Sequence, residues 1–197
     1  MRINFWVLGF IAILGANTLS AQGDQSIEFN RRRNEINRKA MLTWGIWSLT
    51  NIGLGSIQYP TSDGRSRFFH EMSIGWNAVT LGIAGFGYFR TRSAGVELSP
   101  AKSRRAQRGT ERWLLLNAGA DVAAIAAGFY LISRGNGSSL NGERLQGYGL
   151  SLIFQGGFLF AFDAVVFLFH KDNAHRFGTI LKNISISNQK IGLRRRF

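Results

Sequence analysis

The sequence predicts an all-α protein, a four-helix transmembrane bundle built as two antiparallel helical hairpins. Three observations predict it. Four apolar stretches, 41–59, 68–89, 113–133 and 145–170, are each about 19 to 26 residues long, and about 20 mainly apolar residues cross a bilayer as a helix. Lys and Arg are absent from their interiors and crowd into the segments between them. The links 60–67 and 134–144 are short and rich in Pro, Asp, Gly, Asn and Ser, so each joins antiparallel neighbours.

The chain has 197 residues, 45% of them apolar and 18% charged, and its length suits one domain. A mean hydropathy near zero hides the alternation of apolar and basic blocks. There is no cysteine, which excludes a disulfide framework, a thiolate metal site and a cysteine nucleophile.

Residues 1–21 read as a signal peptide or as an uncleaved first helix. Arg2 leads an apolar core that gives way to Ser20, Ala21 and Gln22. Residues 22–40 form a polar, basic N-terminal segment. Residues 41–170 form the membrane domain, with the longer link 90–112 between its hairpins. Residues 171–197 form a basic tail. In that tail Ile184 and Ile186 alternate with polar residues as in a short strand. Small residues such as Ala78, Gly82, Ala120, Ala124 and Gly128 suit close helix packing.

The charge is asymmetric. The net charge is +13, and 19 of the 24 Lys and Arg fall in the N-terminal segment, the middle link and the tail. Antiparallel spans put those regions on one side. The positive-inside rule turns that side to the cytoplasm, whereas a cleaved signal would export it. The bacterial inner membrane is the expected location, with an outer envelope layer as the alternative.

Polar residues inside the spans are the candidates for chemistry: Asn51, Asn77, Asn117, Asp121, Gln155 and Asp163. Counting from the hairpin turns places Asn51 level with Asn77, Asn117 with Asp163, and Asp121 with Gln155. A carboxylate in hydrocarbon costs about 2.5 kcal/mol or more, so each Asp needs partners, water or a proton. These residues read as interhelical glue or as a proton or cation path.

No phosphate-binding Gly loop, HExxH motif or catalytic constellation occurs. His70, His170 and His175 are too scattered for a metal site. The expectation is a non-enzymatic structural or interaction component without cofactor or metal. The alternative is a small oligomeric proton- or ion-coupled transporter or channel. Basic residues beside apolar spans read as lipid head-group contacts rather than a nucleic-acid surface. Those contacts are Arg104, Arg105, Arg108, Arg194, Arg195 and Arg196. The expected partners are membrane lipids and a second copy of the chain or another membrane protein. With Trp76 and Asn77 followed by GIAGFGYF from Gly82, the plan resembles small uncharacterised bacterial multi-pass membrane proteins. That resemblance implies no activity and carries over no functional residue.

Overall fold

The computed structural model describes residues 5–137 and 141–193, with side-chain surroundings for 23–137 and 141–179. It is all-helical, with no strand among the described residues. The helices are α1 (Phe5–Gln58), α2 (Gly64–Arg92), α3 (Pro100–Asn136) and α4 (Gly142–Leu193). The two prolines mark helix starts. Pro60 lies in the 3-10 turn Tyr59–Thr61, and Pro100 opens α3. Ser99, before it, is extended, as the proline ring requires of its predecessor. Gly64 begins α2 at φ 50°, where a side chain is strained. A Cβ there would also stand 2.9 Å from Glu143 Oε1, so the starts of α2 and α4 meet at this end.

α1 runs unbroken for 54 residues, about 80 Å, from the signal-like opening through the basic segment into the first apolar stretch. The middle link is shorter than expected. Only 93–99 lies between α2 and α3, and the basic run 102–112 is helical. The tail also differs from its strand pattern, since α4 continues to Leu193. A lone strand leaves its ladder groups unpaired, whereas a helix satisfies them internally.

Both hairpins close with a seven-residue antiparallel register. In the first, Asn34 meets the Ala94 carbonyl, Met41 meets Gly87, and Ser48 meets Thr80, with Gly55 against Ile74 one residue off the repeat. In the second, Gln107 faces His170, the Asp121 backbone faces Gly156, Gly128 faces Gly149, and Gly135 faces Gly142. A strict seven-residue repeat winds helices into a left-handed supercoil. α4 makes most of the contact between the hairpins: it packs on α1, α2 and α3, α1 also meets α3 at the basic end, and α2 and α3 do not touch among the described residues. α4 therefore has two buried faces, and α3 lies on the outside.

The side chains are distributed opposite to those of a water-soluble bundle. Among the described residues nine hydrophobic side chains are buried against fifteen polar or charged ones, while 21 large hydrophobic ones are exposed. All 21 lie within the four apolar stretches. α3 and α4 are long and apolar enough to cross a membrane. The apolar stretches of α1 and α2 carry more Ser, Thr, Asn and Trp and do not pass the same test.

Candidate functional site

The buried polar side chains form a seam along the bundle axis. They recur at three- and four-residue steps, as Ser26, Asn30, Arg33 on α1 and Ser73, Asn77, Thr80 on α2. That spacing keeps one stripe of each helix turned inward.

At the centre lies Gln155, fully buried on α4. Its oxygen accepts from Trp47 Nε1 at 3.1 Å, and its nitrogen donates to Asn51 Oδ1 at 3.2 Å and to Ser73 Oγ at 3.0 Å. One carboxamide thus fastens α4 to both helices of the first hairpin. Asn77 donates to the Ser73 carbonyl at 2.8 Å, and the Ser48 and Thr80 hydroxyls share a bond of 2.9 Å. Trp47 also stacks on Phe158, with ring centroids 3.5 Å apart.

The α3/α4 interface holds the acids. Asp121 and Asp163 are each 6% exposed. Asn117 hydrogen-bonds the Asp163 carboxylate, and Asp121 lies near enough to repel it. Asp121 Oδ2 has no partner. Neither acid takes part in the ion pairs found among the described residues. Asp163 also lines an outward-facing apolar groove of about 270 Å³ with Leu114, Phe160 and Phe167.

The six sequence candidates therefore separate into two groups. Asn51, Asn77 and Gln155 gather where α1, α2 and α4 meet, whereas Asn117, Asp121 and Asp163 gather between α3 and α4. Asn117 and Asp163 pair as their depths indicate. Gln155 turns away from Asp121, and Asn51 reaches the Asn77 side of the junction only through Gln155 and Ser73.

A third polar group, at the basic end, was not legible as a site. His170 is fully buried and donates from Nε2 to Asn37 Oδ1 at 2.9 Å. Gln107 donates to the His170 carbonyl at 2.9 Å and to Glu111 at 3.1 Å, and Lys171 pairs with Glu111 at 2.9 Å. Asn30 donates to Ser103 Oγ at 2.8 Å and to the Val96 carbonyl at 3.1 Å. Beside them Arg33 is 6% exposed; among the described residues its one hydrogen bond goes to Asn34, and Nη1 has no partner. Burial lowers its guanidinium pKa from the ordinary value. The signal that marks this group in the sequence is polar residues at three- and four-residue steps, Ser26, Asn30, Arg33 and Asn37 on α1 and Ser103 and Gln107 on α3.

At the other end Tyr148 donates to Glu71 at 2.8 Å, so Glu71 serves α4. Arg104, Arg105 and Arg108 are exposed. Arg194, Arg195 and Arg196 lie outside the described residues. No group of three or more His, Asp or Glu among the described residues is placed to hold a metal ion.

Neither a curated protein nor a solved structure matches this sequence. One family model does match, over residues 43–164, well over half the chain and including both the Gln155 junction and the Asp pair. The chain belongs to the Family of unknown function (DUF6992).

Proposed function

We propose that this chain is a multi-pass integral membrane protein of the bacterial cell envelope, acting as a non-enzymatic structural or interaction component. The observation that carries this reading is that, among the described residues, all 21 exposed large hydrophobic side chains lie in the four apolar stretches, around an interior crossed by hydrogen bonds. In water such a surface is an aggregation hazard. In a bilayer it is the side presented to lipid, and internal polar groups must find partners within the protein. On this reading the seam is interhelical glue. Basic residues, among them Arg104, Arg105 and Arg108, meet anionic head groups. The protein partner is a second copy or another membrane protein.

Alkaline washing of membranes and cysteine labelling test this. The native chain has no cysteine. Ser103 is a poor labelling position because it is fully buried, whereas Lys102 and Thr61 are exposed at opposite ends. The chain should stay in the washed membrane. In sealed vesicles an impermeant maleimide should label Lys102→Cys or Thr61→Cys, not both. Release by the wash, or labelling of both, overturns the reading.

The Asp121–Asp163 arrangement supports a second reading, an oligomeric proton or cation path. Two buried acids without a basic partner, one beside an open groove, are a usual feature of such paths.

A further inference from the structure

An open groove of about 500 Å³ runs between α1 and α4 where the basic and apolar halves of the bundle meet. That volume lies within the roughly 300–1,000 Å³ of small-molecule sites. Ile36, Phe162, Val165, Val166 and Phe169 form its apolar wall, and Arg32, Glu35 and Lys39 stand on its rim.

The rim is cationic even after its ion pairs are counted. Arg32 and Arg176 share one carboxylate, Asp172, at 2.9 and 3.0 Å. Lys39 holds Glu35 at 2.7 Å, and Arg38 and Arg32 act on the same carboxylate. Of the charged groups lining the groove itself, two are cations, Arg32 and Lys39, and one is an acid, Glu35. Lys39 adjoins the apolar wall, and Arg32 lies two helical turns further out, about 10 Å along α1.

An occupant needs an apolar tail lying along α4 and an anionic head beside α1. A zwitterionic lipid such as phosphatidylcholine supplies the tail and a phosphate but adds a quaternary ammonium, which the cations Arg32 and Lys39 on the rim disfavour. We propose that this groove is a binding site for one anionic phospholipid, with an acyl chain against Val165 and Phe169, the phosphate at Lys39 and the head group facing Arg32. The proposal rests on the membrane reading above.

The test uses the full chain, expressed in bacterial membranes and purified in mild detergent after an alkaline wash. Phosphatidylglycerol or phosphatidylcholine is then titrated and adducts are counted by native mass spectrometry. One tightly held phosphatidylglycerol is expected, preferred about tenfold or more over phosphatidylcholine. Arg32→Gln with Lys39→Gln should weaken it about 30-fold, the factor two cationic contacts supply. Glu35→Gln should strengthen it. Thr43→Trp, at an exposed position on the groove, should abolish it. Arg65→Gln with Arg134→Gln, which removes the same charge at the opposite end, should leave it unchanged. Equal binding of phosphatidylcholine, or adducts that ignore the groove variants, overturns the site while leaving the membrane reading intact. Release by the wash overturns both.

Discussion

The carboxamide oxygen of Gln155 accepts the indole N–H of Trp47 at 3.1 Å across the α1/α4 contact. With its bonds to Asn51 and Ser73, this makes Gln155 a fastening between the two hairpins at the centre of the bundle. Polar bonds between membrane helices contribute about 0.6 kcal/mol each and at most about 1.7. Gln155→Leu breaks three and leaves the half-buried Trp47 Nε1 without that partner. A loss of about 2 kcal/mol or more is expected, read as a lower thermal midpoint in detergent. An unchanged midpoint would mean that the Gln155 bonds add nothing to what the packing and the other polar contacts between the hairpins supply.

The second hairpin depends on glycine. A Cβ at Gly128 would stand 2.6 Å from the Gly149 carbonyl oxygen, and one at Gly149 would stand 2.5 Å from that of Gly128. Backbone cannot yield as a side-chain tip can. Gly128→Val should separate α3 from α4 and cost about 3 kcal/mol or more. Gly119 on the same helix has open space around it, so Gly119→Ala should stabilise by about 0.5–1 kcal/mol. Circular dichroism melts of the two variants should shift in opposite directions.

Arg33 carries a buried charge with no carboxylate among its described partners. Removing a buried charge in favour of an apolar side chain of similar length is often neutral or stabilising by about 1–4 kcal/mol. Arg33→Met should therefore hold or raise the thermal midpoint. A fall of several degrees would reveal an anionic partner of the guanidinium.

The acids separate the two functional readings. Asp121→Asn with Asp163→Asn keeps side-chain volume and hydrogen-bonding capacity while removing both ionisable groups. If the acids are glue, the double variant should purify with an unchanged midpoint, and liposomes bearing the native protein should show no proton or cation flux above empty ones. Flux through the native protein that the double variant lacks would establish the path.

Some of this organisation was already determined by the sequence itself. The apolar stretches, the placement of Pro60, Gly64 and Pro100, and the clustering of Lys and Arg required helices, hairpins and one basic end. Helix geometry is local, and counting residues from a turn gives height along an axis. That sufficed to pair Asn117 with Asp163. Height leaves rotation about the axis open, and rotation was decided by packing. Gln155 stands level with Asp121, yet the two buried faces of α4 turn it toward Trp47, Asn51 and Ser73. The same packing gathers Arg33, Asn37, Gln107 and His170, distant in sequence, at one end. The Gly128–Gly149 contact sets how near α3 approaches α4, and thereby whether Asp121 and Asp163 share one interior. These relations exist only once helices from both hairpins touch, because each joins residues whose separation along the chain exceeds any local pattern.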